Sequence, residues 1–137
     1  MLFEFIYNVL CYDIWFYLSH LVLHTKPFYF IHKIHHQPNY KTLTYKDTHI
    51  AHWFENLIQP LGVFIPITVH GYKNISISTL LVSMCFICVR GMMRHDHRCT
   101  WLIGDHHLLH HKNQKYNFGE YWLDFVFNTV YPKIIKI

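Results

Sequence analysis

Three histidine motifs dominate the chemistry this chain could carry. His20 and His24 form HxxxH, His32, His35 and His36 form HxxHH, and His107, His110 and His111 form a second HxxHH, preceded by His106 and by His95-Asp96-His97. Residues three and four apart share one face of a helix, so each motif would project its imidazoles together. Histidine supplies 14 of 137 residues, and at that frequency about 0.14 copies of HxxHH are expected by chance. Two copies beside an HxxxH therefore point to metal coordination. Imidazole suits iron, zinc, copper and nickel, and eight such ligands exceed the four of a closed structural zinc, so two metal ions are the natural reading. Without metal, protonation of eight close imidazoles would accumulate like charge. His70 stands alone and reads as an ordinary structural histidine.

Competing chemistries lack their residues. The chain has no HExxH, no ExxH of the carboxylate-bridged type, no GxSxG, no P-loop and no GxGxxG. Only eight acidic residues are present, so a metal centre here must be nitrogen-rich. Cys85 and Cys88 form a single CxxC inside the apolar run 75–89. With no second pair they read as helix lining, and the four cysteines fit reduced thiols in a cytosol-facing protein.

The elements that would position the histidines are apolar. The chain is 52% hydrophobic and 15% charged, against roughly 25% charged in soluble domains. Disordered, collagen-like and ordinary soluble classes are therefore disfavoured. The length allows one domain. Residues 1–23 can reach through most of a bilayer, although Glu4, Asn8 and Asp13 make that helix an imperfect lipid-facing span. Two further segments, approximately 54–70 and 75–93, make a helical hairpin turning at His70–Asn74, with Pro60 and Pro66 expected to kink its first leg. Two buried core helices of a soluble bundle are the competing architecture. Eleven of the twelve Lys and Arg residues lie beside the histidine-rich segments and only Lys73 lies at the hairpin tip, which assigns the histidines to the cytoplasmic side. The net charge of +4 is not gathered on one face, so no nucleic-acid partner is expected. The N-terminus lacks a basic n-region and a small-residue cleavage site, so no cleavable signal peptide is expected. The expected fold is all-α: an integral membrane helical bundle with a transmembrane hairpin and a cytosolic-side, histidine-rich, metal-binding helical cap.

These residues resemble the fatty acid hydroxylase/sterol desaturase superfamily, membrane-bound oxygenases defined by HxxxH, HxxHH and a second HxxHH. The likeness covers nearly the whole chain, read as one domain over 1–137 that is shortened at its N-terminus relative to the family. Asp13-Ile-Trp-Phe-Tyr17 leading to His20 resembles the family's first block, and Lys26-Pro27 and Tyr29 before His32 its second. His52-Trp-Phe-Glu55 resembles the opening of its hairpin and His95-Asp96 the residues after it. Asp105 to His111 with Tyr116-Asn117-Phe118-Gly119 and Leu123-Asp124 resembles the closing block. Leu21 stands where the family usually has Arg, and Asn128 where it has Gly.

The resemblance implies a di-iron centre in an endoplasmic-reticulum-type membrane, hydroxylating or desaturating a sterol, fatty acyl or sphingolipid substrate. Dioxygen would be the oxidant, and NAD(P)H would supply electrons through a reductase and a b-type cytochrome or ferredoxin. On the matching positions His20, His24, His32, His35, His36, His107, His110 and His111 would be ligands, with His95 a ninth. His106 would be a ligand or a support and His52 a support, while Asp13, Glu55, Asp96 and Asp124 would receive the outer N–H of ligand rings. Spacing alone leaves zinc open beside iron, and an oligomer is compatible with the sequence. The alternatives are a histidine-rich membrane protein that binds or moves zinc or iron, and a degenerate family member without turnover. A transporter should hold its ligands at mid-membrane depth, whereas eleven of the fourteen histidines lie in the segments 20–48 and 95–121.

Overall fold

The computed structural model describes residues 1–71 and 75–132, and every regular element among them is helical. The first helix, α1, spans Leu2–Leu23, and after the short α2 (Tyr29–His32) two 3-10 turns lead to α3 (Trp53–Ile58). A 3-10 segment over 59–64 then joins α3 to α4 (Ile65–His70). The second long helix, α5, spans Ile77–Arg94, followed by α6 (Thr100–Ile103), α7 (His106–Asn113) and α8 (Tyr121–Val126). The expected turn at 70–74 lies partly outside the described residues, as do Lys73, Lys133 and Lys136.

Both long helices are long and apolar enough to cross a bilayer, with only 28% of each apolar window buried inside the protein. At 1.5 Å per residue α1 is about 33 Å long, close to the hydrocarbon thickness of about 30 Å. Burial on α1 is inverted relative to a water-soluble helix. Asn8, Asp13, Tyr17 and His20 face inward, while Phe3, Ile6, Leu10, Ile14 and Leu18 face outward. The same inversion holds on α5, where Thr79, Ser83 and Arg94 are buried and Leu81, Val82, Phe86 and Val89 are exposed. Cys85 and Cys88 sit on that exposed side as free thiols. An apolar surround accounts for this pattern, because in water the outward leucines and valines would gain nothing from exposure.

Polar contacts hold the inner faces together. Asn8 Nδ2 donates to Ser83 Oγ at 3.3 Å, and Asp13 is ion-paired with Arg90. Glu120 receives Arg94 at 2.7 Å and Arg90 at 3.4 Å, so one buried and one partly buried cation meet two carboxylates. Arg94 also lies 4.8 Å above the Phe16 ring. Between α1 and α5, Val63, Leu80 and Ile87 form an apolar core with Val9, Tyr12, Ile67 and Met84 packed against it.

The leg expected over approximately 54–70 as one kinked helix is three helical pieces. Pro60 lies in the first turn of the 3-10 stretch and Pro66 opens α4. Each lacks the N–H that a continuous α-helix requires, so the hydrogen-bond ladder restarts at each proline. The 3-10 piece lies against α1. Trp15 Nε1 donates to the Ile58 carbonyl at 2.9 Å and Ser19 Oγ donates to Gln59 Oε1 at 3.0 Å. At Gly62 an added Cβ would lie 2.6 Å from Trp15 Cδ1. Gly62→Ala should therefore lower stability by about 1–3 kcal/mol. Thermal unfolding in detergent measures this, and an unchanged midpoint would mean the Trp15 ring is free to move aside.

Candidate metal centre

The two long helices end beside each other, and their ends carry the site. His20 lies in the last turn of α1 and His24 is its C-cap, while His95 is the C-cap of α5. His32 closes α2, and the turn after it presents His35 and His36. Helix α7 carries His107, His110 and His111, all buried.

The nine rings form two groups, each with its ligand-capable atoms within 4.8 Å of one another: His20, His24, His32, His36 and His110 in one, His35, His95, His107 and His111 in the other. Each HxxHH motif is divided between them. His32 and His36 join the first group and His35 the second, whereas His107 and His111 join the second and His110 the first. Within the first group Nε2 of His20 lies 2.9 Å from Nε2 of His32, His36 lies 2.9 Å from His32, and His110 lies 3.1 Å from His24. In the second, Nε2 of His95 lies 3.0 Å from His35 and 3.1 Å from His107. Four nitrogens held tetrahedrally 2.0–2.1 Å from an ion stand about 3.3 Å apart.

The outer nitrogens decide what the inner ones can do. Nδ1–H of His20 donates to the Phe118 carbonyl, and that of His110 to the Tyr116 carbonyl at 2.7 Å. His35 donates to Ile50 at 3.2 Å, His95 to Gly91 at 2.8 Å, and His32 to Glu55 Oε1 at 2.7 Å. A neutral imidazole has one N–H, so these five rings, having spent it outward, turn bare Nε2 lone pairs inward. Lone pairs cannot bond one another. Both nitrogens of His111 are also buried without a hydrogen-bond partner. A cation in each group satisfies this donor set, and the residues fit a metal on those grounds.

Burial keeps these rings neutral. It pushes His35 down to about 4. His24 also falls to about 4, through burial and then the neighbouring His35. His110 falls to about 3, through burial and then His24. His32, His36 and His111 lie far below the ordinary histidine range for the same reason.

The supporting residues divide differently from expectation. Glu55 does receive one of the nine rings, His32. Asp13 instead pairs with Arg90, and Asp96 with Arg98 at 2.7 Å and the Tyr45 N–H at 3.2 Å. Each meets a group that needs its charge or lone pairs more than an imidazole does. Asp124 touches no ring of either group; it receives His106 Nε2 at 2.9 Å, which turns His106 away from both. Nδ1 of His52 accepts the Phe54 N–H at 3.2 Å and caps α3. His97 donates to the Tyr40 carbonyl at 2.7 Å.

A cavity of about 260 Å³ opens beside the rings, lined by His20, His32, His35 and His95 together with Tyr12, Phe16, Pro60 and Gly91. It therefore touches both groups. The cavity polar groups Gln59 and Arg94 carry no spacing signal and were not legible from the sequence.

The family model for fatty acid hydroxylase matches residues 5–129. The chain belongs to the fatty acid hydroxylase family. No curated protein and no solved structure matches it. Membership makes this an oxidoreductase-type membrane protein of a lipid-oxygenating, typically iron-dependent family; the two histidine groups are its metal-capable residues.

A pH dependence follows for the metal-free chain. The unfolded chain binds protons at its histidines below the ordinary pKa of 6.5, whereas His35 and His24 in the fold resist protonation until about 4. Stability contributed by these groups is present above 6.5 and is lost as pH falls towards 4. The melting temperature of the chelator-treated protein should fall between pH 7 and pH 5. A flat profile would contradict the burial of neutral rings.

Proposed function

We propose that the protein is a membrane-bound di-iron oxygenase that hydroxylates or desaturates a sterol, fatty acyl chain or sphingolipid, with dioxygen as oxidant and electrons from NAD(P)H delivered by a carrier protein. The observation that carries this reading is the pair of histidine groups with inward Nε2 lone pairs and outward N–H groups already bonded. His20, His24, His32, His36 and His110 would hold one iron, and His35, His95, His107 and His111 the other. Iron so bound would activate the dioxygen that oxidises an unactivated C–H bond.

The rest is positional work by the chain. The Phe118, Tyr116, Ile50 and Gly91 carbonyls and the Glu55 carboxylate lock the ring orientations, so the ligands need little rearrangement to bind. Tyr12, Phe16, Pro60 and Gly91 supply a wall on which an apolar segment of lipid can lie against both groups. The outer faces of α1 and α5, apolar but for Ser78 near the start of α5, would lie in the lipid phase beside this region.

Membrane orientation follows the same geometry. The histidines gather where α1 and α5 end, beside Lys26, Lys33, Lys112 and Lys115, which favours a cytosolic face of an endoplasmic-reticulum-type membrane. Placement at helix ends, not at mid-helix, argues for a catalytic cap over a metal-transport path. The whole chain is read as one hydroxylase-like domain, with α1, 54–70 and α5 as its membrane segments.

Expression in a membrane host, with metal analysis and lipid profiling, tests the proposal. Two equivalents of iron and a new lipid alcohol or alkene are expected with a competent electron donor. One equivalent of zinc and no oxidised lipid would overturn it and favour a metal-binding role without turnover. His35→Ala and His110→Ala remove one ligand from each group, and each should abolish product and lower metal content. Full turnover in either variant would refute the ligand assignment.

A further inference from the structure

The closing segment of the chain contains a buried carboxylate that touches no metal-capable ring and has every lone pair occupied. Asp124, on α8, is 0% exposed. Its Oδ1 receives the Phe118 N–H at 2.8 Å and the Thr129 hydroxyl at 2.7 Å. Its Oδ2 receives the Gly119 N–H at 2.9 Å and His106 Nε2–H at 2.9 Å. A carboxylate offers about four acceptor sites, so none remains for an ion.

What Asp124 holds is the strand of backbone that orients one metal group. The residues it grips by their N–H groups, Phe118 and Gly119, lie in the loop whose carbonyls receive His20 and His110. The second group takes its orientation elsewhere, His95 from Gly91 and His35 from Ile50. The loop is also pinned at Asn117, a left-handed residue with φ 60°, whose side chain donates to the His106 carbonyl at 2.8 Å and accepts the Tyr131 N–H at 2.7 Å.

We propose that Asp124 is a positioning residue for the first metal group alone, acting through the Phe118 and Tyr116 carbonyls and not through its contact with His106. The inference rests on the reading that both groups load metal. An Asn at 124 keeps the shape but offers one acceptor oxygen and an NH₂. In either orientation the NH₂ opposes a backbone N–H, that of Gly119 or that of Phe118, and neither can reverse its role. The loop should then release the outer nitrogens of His20 and His110.

The test is titration of the full-length protein in detergent with cobalt(II), read by its absorption bands. The wild-type chain should take up two equivalents, with one set of bands removed by His110→Ala and the other by His107→Ala. Asp124→Asn should weaken only the set that His110→Ala removes, by about 10–100-fold, with helix content by circular dichroism preserved. His106→Gln should leave both sets at wild-type affinity. Should Asp124→Asn fail to fold, Thr129→Val removes one bond to Oδ1, and a smaller weakening of the same set is expected. Unchanged binding in the 124 and 129 variants, equal weakening of both sets, or an equal effect from His106→Gln would overturn the proposal. Less than two equivalents in the wild-type chain would instead defeat the two-metal reading on which it stands.

Discussion

The structure depends on how nine imidazoles dispose of their protons. An imidazole that donates from one nitrogen is an acceptor at the other, and five of these rings donate outward to a carbonyl or to Glu55. Their inner atoms then face one another as lone pairs at close to 3 Å, an arrangement that hydrogen bonding cannot satisfy and a cation can. The five outward partners come from four places, the 116–119 loop twice, the turn near Ile50, Gly91 on α5 and Glu55 on α3. Each of those elements must be in place before the rings are. The helices around the centre are therefore a scaffold for acceptors as much as for ligands.

A second constraint comes from the surround. Helices α1 and α5 keep polar residues inside and many apolar residues outside, so the polar ties between them are Asn8–Ser83 and Asp13–Arg90, while Glu120, the N-cap of α8, holds Arg90 and Arg94 of α5. These contacts lie along the inner faces leading up to the histidines. They set the relative depth of the two helix ends, and with it the spacing between His20 and His95. Apolar packing around Val63 and Ile87 contributes between them, where the 3-10 piece fills the gap that a straight helix would leave.

Much of this was legible in the sequence because spacing and composition act locally. The HxxxH and HxxHH motifs marked the ligands as candidates, the apolar runs marked α1 and α5, and the paucity of carboxylates marked a nitrogen-rich centre. The division of each HxxHH between two groups was not legible. The turn at 33–36 and helix α7 meet only through the tertiary arrangement. Nor were the acceptors, since every residue carries a carbonyl and nothing in the letters at Phe118, Tyr116, Ile50 or Gly91 marks those four. Of the four acids expected beside the rings only Glu55 meets one of the nine, for a related reason. Asp13 finds its partner 77 residues away, and Asp124 finds backbone N–H groups, which have no sequence signature.

The distance between Asp13 and Arg90 also bears on how the chain reaches its membrane. Either charge alone at mid-bilayer costs about 2.5–3.5 kcal/mol, and α1 is made long before α5. At about 5–20 residues per second of synthesis, 77 residues is an interval on the order of 4–15 s. During that interval the Asp13 carboxyl lacks the Arg90 guanidinium that pairs with it in the fold. Folding of the two long helices thus joins an acid made early to a base made 77 residues later.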